Sequence, residues 1–264
     1  MSSLSFRRLM WSRNFWIVLV LASLPLGLAV MFCVGLMATM GYPAQLPRGD
    51  GNFRRFVELV FDAGYLSLGV IFAGVAFGSS AIREEQDDQT LHYFFLQPAA
   101  RWIILLGKFT AFLAFTYPVF LVSLLLVRVL VLAPFGIEGF REHLISGSEL
   151  MRFAREAIAL AVGLIAYSML FLALSSIIKN NVYALFIYGW EVSSHFLPDA
   201  LKSFSLGWHL REIVGSRQEA GVVEVLAVGP SMLQVVLVLS LTPVICGGVA
   251  ALIFSRRQCL YGTN

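Results

Sequence analysis

Long apolar runs limit what this chain can fold into more than any other feature of its sequence. A helix that crosses the roughly 30 Å hydrocarbon core of a bilayer needs about 20 mostly apolar residues. Hydrophobic residues make up 58% of the chain and charged residues only 13%, whereas a soluble domain has roughly 45–50% and 25%. We therefore predict an all-α integral membrane protein that forms a single domain over residues 1–264. Its six predicted transmembrane helices lie at about 15–40, 59–82, 102–133, 153–178, 182–197 and 230–255.

The fifth of these stretches, 182–197, is short and is interrupted by Glu191. Pro198 follows it, and the chain up to Gly229 never becomes apolar enough to span a bilayer. Irregular backbone is tolerated at membrane depth only where it is buried in protein or lines a cavity. The pattern predicts a broken helix with a re-entrant or outer helical hairpin between the fifth and sixth spans.

The segment before the first span mixes aromatic residues with arginines. Phe6 and Trp11 alternate with Arg7 and Arg8, so that aromatic rings could enter the acyl boundary while the arginines meet lipid headgroups. We predict an interfacial helix over 1–14 that binds membrane lipids. The alternative is a basic flank that only orients the first span.

The basic residues that flank the spans indicate the orientation of the chain. An even number of spans places both termini on one side of the membrane. Arg256 and Arg257 directly follow the last span, and basic residues are enriched on the cytoplasmic side. We therefore expect both termini to be cytoplasmic.

The most informative polar segment lies between the second and third spans. Acidic residues open it, an apolar cluster at i, i+3, i+4 spacing follows, and a proline ends it: Glu84, Glu85, Asp87 and Asp88, then Leu91, Phe94 and Phe95, then Pro98. Acidic residues at a helix start complement the helix dipole. The pattern fits a short amphipathic helix that docks into a groove of another protein. It equally fits a solvated acidic turn whose aromatic rings rest on the membrane.

The order of residues in this segment resembles the cytoplasmic signature of type-2 ABC transporter (ABC-2) permeases. The resemblance rests on Glu84-Glu85, Thr90-Leu91, Phe94, Leu96, Pro98, Arg101 and Lys108. The family usually has an acidic residue and glycine before Thr-Leu, where this chain has Asp88-Gln89. A weaker match, Leu197-Pro198 with Trp208-His209-Leu210, resembles the family's outer segment between the fifth and sixth spans.

The resemblance implies a permease subunit of an ATP-driven exporter in the bacterial inner membrane. Two permease copies, identical or different, would pair in the membrane. A cytoplasmic coupling helix at about 87–97 would sit in a cleft of a separate ATPase subunit. The residues implied in coupling are Glu84, Glu85, Asp87, Asp88, Thr90, Leu91, Tyr93, Phe94, Phe95, Pro98 and Arg101.

The chain carries no phosphate-binding loop of its own. Such a loop needs G-x-x-x-x-G-K-[ST], and the Gly107-Lys108 pair is followed by Phe109 at a predicted span. We therefore expect no cofactor in this chain, with ATP and Mg²⁺ bound by the partner ATPase. The net charge of +3 is too small to predict a nucleic-acid partner.

Glu191 and His195 are spaced i, i+4 on one face of the fifth predicted span. An ionisable residue at that depth suggests a function, such as binding a cationic group or relaying a proton. The alternative is a polar latch onto the outer hairpin. With Trp208 and His209, these residues form our candidate pathway or gate.

Two further sets of residues allow more than one interpretation. Asp62, Arg128, Arg155 and Glu156 fall near predicted outer ends of spans, where pairing or snorkelling explains them more simply than a charged conduit. The glycines of the second span allow close helix packing, either between two copies of the chain or within one copy. These glycines are Gly64, Gly69, Gly74 and Gly78.

Two other function classes compete with transport. The chain could be a non-transporting scaffold or accessory subunit, because a fold alone does not fix a function. It could be an intramembrane enzyme, since Glu84-Glu85 resembles the acidic pair of CAAX-type proteases. Their EExxxR pattern would need arginine at Gln89, however, and neither H-E-x-x-H nor G-x-S-x-G occurs. We accordingly predict that this chain is not an enzyme and has no catalytic residue or metal site.

Overall fold

The computed structural model describes residues 13–40, 56–81, 101–136, 148–178, 182–194, 197–215 and 230–256, and the described secondary structure is helical throughout. The helices are α1 (Arg13–Met40), α2 (Phe56–Ser79), α3 (Arg101–Leu132), α4 (Ser148–Ile177), α5 (Val182–Ser193), α6 (Leu206–Val214) and α7 (Met232–Arg256). Within α2, the turns over Val60–Val70 have π-helical geometry and those over Ile71–Ser79 are α-helical. A helical turn, Asp199–Lys202, precedes α6.

Five of these helices are long and apolar enough to cross a membrane. Their apolar parts agree with five of the six predicted spans to within about four residues. They cover Trp16–Thr39, Phe56–Ser79, Trp102–Leu132, Glu149–Ile177 and Met232–Ile253. The chain is therefore a multi-pass membrane protein. The agreement follows from the length of the apolar runs, which no soluble fold could bury.

The fifth predicted stretch, 182–197, is not among the five helices long enough to cross a membrane. Its helix, α5, ends at Ser193 after 12 residues, which gives a length of about 18 Å. That length is too short to cross the roughly 30 Å hydrocarbon core unaided. The broken helix expected here stays a prediction, because residues 179–181 and 195–196 lie outside the described part of the chain. Glu191 is buried against another part of the chain, as described below, and the apolar run stops there.

Helix α4 lies at the centre of the bundle and packs against α2, α3, α6 and α7. Its side chains Leu160, Leu164, Tyr167 and Phe171 are almost completely buried. Helix α7 packs on α4 with one side, whereas apolar side chains such as Val236 cover its other side and are exposed. An apolar helix with an uncovered apolar side is suited to contact lipid.

The glycines of α2 bring it into close contact with its neighbours within the same chain. A Cβ at Gly74 would lie 3.1 Å from the backbone carbon of Tyr167, and a Cβ at Gly78 would lie 2.7 Å from the backbone of Phe171. Because both residue numbers rise together along the contact, α2 and α4 run parallel. The remaining two glycines, Gly64 and Gly69, meet Pro25 of α1 and Phe120 of α3. Of the two interpretations of these glycines, packing within one chain is the one that the structure supports.

Helices α1, α2 and α3 are also joined by a buried chain of hydrogen bonds. The Tyr65 hydroxyl on α2 lies 2.7 Å from Ser123 Oγ on α3, and Ser123 donates to the Ala22 carbonyl of α1 at 2.5 Å. Polar side chains that bond across helices are typical of helix association in membranes. The three helices are thus joined by directional bonds as well as by packing.

Two of the predicted segments lie outside the described residues. These are the interfacial residues Phe6, Arg7, Arg8 and Trp11, and the segment 82–100 with its coupling residues from Glu84 to Pro98. Of the coupling residues, Arg101 is described, as the first residue of α3.

Candidate functional site

The carboxylate of Glu191 binds the first turn of α6. Ser205 Oγ donates to Glu191 Oε2 at 2.5 Å. The backbone amides of Leu206 and Gly207 donate to the two carboxylate oxygens at 3.1 and 3.2 Å, and the Tyr167 hydroxyl is also hydrogen-bonded to Glu191. All four groups can donate a proton, so a buried carboxylate that only accepts matches them well. Glu191 therefore ties α5 to the start of α6 and to α4.

The sequence of α6 explains why a helix begins there. Ser205 is the N-cap residue, with extended backbone, and its Oγ accepts the amide of Trp208 at 3.1 Å. The first amides of a helix have no partner within the helix. Ser205 Oγ accepts from Trp208, and Glu191 accepts from the other two, Leu206 and Gly207. Gly215 ends the helix in the left-handed conformation with φ of 74°, which glycine adopts without steric cost.

Gly207 leaves open the space that the Glu191 carboxylate occupies. A Cβ at this position would lie 2.8 Å from Glu191 Oε2 and 3.6 Å from the Tyr167 hydroxyl. Real Cβ atoms essentially never approach another atom that closely. Any larger residue would therefore push the carboxylate away from the helix start.

Helix α6 lies alongside α4 and runs antiparallel to it. Gly207 meets Tyr167, Leu210 fills the space beside Gly163, and Gly215 lies near Arg155. Tyr167 is about 15 Å along α4 from the end of that helix. The start of α6 is thus well inside the bundle. Helix α5 also runs antiparallel to α4, with Tyr183 beside Phe171 and Glu191 beside Tyr167. Glu191 of α5 and Gly207 of α6 therefore lie at the same depth in the bundle, beside Tyr167.

His209 and Trp208 occupy the same turn of α6. The His209 side chain is fully buried, and its Nε2 lies 3.0 Å from the Ser203 carbonyl oxygen. Its Nδ1 has no hydrogen-bond partner among the described residues. Trp208 is half-buried, and its ring lies 5.2 Å from that of His209.

Ion pairs gather at the end of the bundle where α2 and α4 begin, which we call the ion-pair end. Arg211 of α6 pairs with Asp62 of α2 at 2.5 Å. Arg128 of α3 pairs with Glu149 at 2.6 Å and with Glu156 at 2.7 Å, both on α4. Pairing thus accounts for Asp62, Arg128 and Glu156, as the simpler interpretation of these residues expected.

The opposite end of the bundle, where residues 82–100 leave it, has a different contact. Lys108 Nζ donates to the Ala81 carbonyl at 2.9 Å. This bond links the end of α2 to α3, and we call this part of the molecule the 82–100 end. The sequence indicated Lys108 only as part of a motif, since nothing in it shows which carbonyl the side chain reaches.

The structure thus brings together three of the four candidate gate residues. Glu191, Trp208 and His209 meet at the start of α6, whereas His195 lies outside the described residues. Tyr167, Ser205 and Gly207 were not among the candidates. Ser205 carried a signal, an N-cap serine before a helix, but Tyr167 looks like any tyrosine in an apolar run. Within the described residues, no group of three or more His, Cys, Asp or Glu side chains could hold a metal ion.

Comparison with known proteins gives one positive result. A family model described as "ABC-2 family transporter protein" matches residues 4–190, which is well over half of the chain. The match includes α1 to α4, nearly all of α5 and the whole of the 82–100 segment. The searches of curated proteins and of solved structures returned no significant match.

Proposed function

Since the chain belongs to the ABC-2 transporter family, we propose that it is the permease subunit of an ATP-driven exporter whose ATPase is a separate polypeptide. The partner ATPase would bind ATP and Mg²⁺. The permease would act as a pair of identical or different copies in the bacterial inner membrane, with both termini in the cytoplasm.

The observation that carries this proposal is the family match over residues 4–190. It contains the acid-led segment whose residue order resembles the family's coupling signature. The structure supports the proposal in a second way, because five apolar helices are long enough to cross a membrane and pack as one bundle around α4. A protein of this kind is suited to form part of a pathway through a membrane.

In this proposal the segment at about 87–97 is the coupling helix, and it docks into the ATPase. Leu91, Phe94 and Phe95 share one face at helical spacing, which suits insertion into a groove. The acidic residues that precede them favour the start of that helix. ATP binding would draw the ATPase subunits together and push this helix against the permease.

The α5–α6 region would form the outer part of the pathway. The proposed topology has six membrane crossings, with α5 and the hairpin that contains α6 completing the fifth. Glu191, Trp208 and His209 would then act as a gate, with the Glu191 carboxylate holding α6 closed against α4. The contacts of Glu191 with Ser205, Leu206 and Gly207 support this latch.

The proposal is tested by purifying the tagged chain from native membranes and measuring the ATPase that accompanies it. Phe94→Asp puts a charge on the docking face, so we expect at least about tenfold less ATPase to co-purify, because a buried unpaired charge costs several kcal/mol. Phe204→Asp is the matched control, since Phe204 is 76% exposed in the proposed outer hairpin. It should retain the ATPase. Both variants should insert into the membrane as the native chain does.

The competing interpretations predict different results. A scaffold that binds no ATPase would show no co-purifying ATP hydrolysis with the native chain. Reporter groups at Gln89 that label only from the periplasmic side would place the segment where no ATPase could reach it. Either result would overturn the proposal.

A further inference from the structure

The two helices that flank the 82–100 segment are tied together at its base. Lys108 Nζ on α3 donates to the Ala81 carbonyl of α2 at 2.9 Å, across 27 positions of sequence. The last carbonyls of a helix have no partner within it. A lysine near a helix end satisfies one of them and also matches the negative pole of the helix dipole.

Aromatic rings extend this contact further along the same two helices. Phe77 of α2 lies 4.7 Å from Phe112 and 5.7 Å from Phe109 of α3, measured between ring centroids. All three side chains are buried. Ring pairs at these separations add stability beyond the area that they bury. The end of α2 is thus held on α3 by packing on one turn and by the lysine on the next.

The position of Lys108 along α3 sets how the two helix ends are offset. Lys108 lies two turns after Arg101, so α3 begins about 10 Å before the level at which α2 ends. The segment 82–100 leaves from one of these ends and returns to the other. The two ends of the segment are therefore connected by the Lys108–Ala81 hydrogen bond as well as by the segment itself.

We infer that Lys108 is a positioning residue for coupling, which holds the ends of α2 and α3 together so that a push on the 82–100 segment moves both helices as one body. This inference rests on the proposed function, since it assumes that the ATPase pushes that segment. Without the bond, a push on the 82–100 segment would separate the ends of α2 and α3. Less of the movement would then be transmitted to α4 and α6.

The experiment uses the complex with its co-purifying ATPase in lipid nanodiscs, with spin labels at two pairs of sites. One pair, Ser80 and Leu106, reports on the joint between α2 and α3. The other pair, Leu106 of α3 and Ile177 at the end of α4, reports on movement of the joined helices against α4 at the 82–100 end, and both side chains are exposed. Distances are measured with and without a non-hydrolysable ATP analogue. We compare the native chain with Lys108→Met, which keeps the length of the side chain and removes the donor.

We expect Lys108→Met to broaden the Ser80–Leu106 distance distribution and to reduce the nucleotide-dependent change at Leu106–Ile177 by about threefold or more, as a loss of coupling between two sites. The amount of co-purifying ATPase should not change. Lys108→Arg can still donate to the Ala81 carbonyl and should restore most of the response. Lys202→Met makes the same chemical change in the helical turn before α6, and should leave the response intact.

Three results would overturn the inference. The first is a full response in Lys108→Met, and the second is an equal loss in Lys202→Met, which would indicate a general effect of removing a lysine. In both cases the ATPase still binds, so the proposed function would survive. The third is a native chain that brings no ATPase with it, which would overturn the proposed function and this inference together.

Discussion

The first half of α2 contacts its neighbours through an ion pair and a hydroxyl hydrogen bond as well as through packing, whereas the second half contacts α4 through glycines and aromatic rings. In the first half, Asp62 pairs with Arg211 at 2.5 Å and Tyr65 bonds Ser123 at 2.7 Å. In the second half, Gly74 and Gly78 lie directly against the backbone of α4. The same helix is thus held by two kinds of contact.

The difference matters because the two kinds of contact resist different movements. An ion pair or hydrogen bond is short and directional, so it weakens steeply when one partner moves by an ångström. Glycines packed against the backbone of another helix leave no room for larger side chains, but they form no directional bond. Such a contact permits small sliding movements. We therefore expect the ion-pair end to stay fixed and the 82–100 end to move.

This comparison assigns a role to each end in the proposed exporter. The segment through which the ATPase would act leaves the bundle at the end that can slide. The contacts that keep α3, α4 and α6 in place lie at the other end. Movement that enters at the 82–100 end would then tilt the helices about the ion-pair end.

The largest effect is expected from breaking the ion pairs of Arg128. In Arg128→Met, the Glu156 side chain, which is 1% exposed, would lose its partner at 2.7 Å. A buried charge left unpaired costs about 3–5 kcal/mol. We expect a strong fall in the midpoint of thermal unfolding in detergent, measured by the loss of monodisperse protein.

A double variant separates the charge effect from the loss of side-chain packing. Adding Glu156→Gln removes the orphaned charge, so Arg128→Met with Glu156→Gln should recover a large part of the lost stability. If the double variant is no more stable than Arg128→Met, the ion pair is not what fixes this end, and the contrast between the two ends fails.

A smaller effect is expected from adding one methyl group where the glycines of α2 pack against α4. In Gly78→Ala, the new Cβ would lie 2.7 Å from the backbone of Phe171, and backbone cannot rotate out of the way. Overpacking of this kind costs about 1–3 kcal/mol. We expect a moderate fall in the unfolding midpoint and a reduced response to nucleotide.

Gly35→Ala is the matched control for this change, since a Cβ at Gly35 of α1 meets nothing within 4 Å. Alanine also has the better helix propensity, so this variant should be as stable as the native chain or slightly more so. Equal losses in the two variants would show that the fit of α2 against α4 is not the cause.

The long spans were readable from the sequence, and the reason is physical. An apolar run of about 20 residues has few places to go other than a bilayer, so five predicted spans agree with the helices of the structure. At 182–197 the sequence predicted a broken helix from Glu191 and Pro198, but it did not show what Glu191 contacts. Its partners, Ser205 and the amides of Leu206 and Gly207, lie 14 to 16 positions further along the chain.

The pairing of residues between helices could not be predicted in the same way. The sequence showed that Asp62 and Arg128 lie near span ends, but it did not show that Asp62 pairs with Arg211 of the predicted hairpin. The glycines of α2 pointed to close packing without naming the partner. Both facts depend on which helices are neighbours, and a hydropathy pattern contains no information on that.

The smallest effect is expected at Glu191, and it tests where the fixed part of the molecule ends. The carboxylate accepts from Ser205 and from the amides of Leu206 and Gly207. In Glu191→Gln, one oxygen becomes an NH₂ group that can only donate, so at least one of these donors loses its acceptor. The loss is about 1–1.5 kcal/mol for the opening of the first turn of α6, which corresponds to roughly five- to tenfold faster amide exchange in that turn.

Gly207→Ala should give the same faster exchange without changing the carboxylate itself, since its Cβ would lie 2.8 Å from Glu191 Oε2. Gly189→Ala, two residues before Glu191 on α5, serves as the control, since a Cβ there meets nothing within 4 Å. Faster exchange in both test variants, with Arg211 still paired to Asp62, would show that α6 opens at its start while its far end stays on α2. The pivot of the gate would then lie at the ion-pair end. Unchanged exchange in both would mean that the packing of Leu210 beside Gly163 is sufficient to hold α6, and that the carboxylate does not act as a latch.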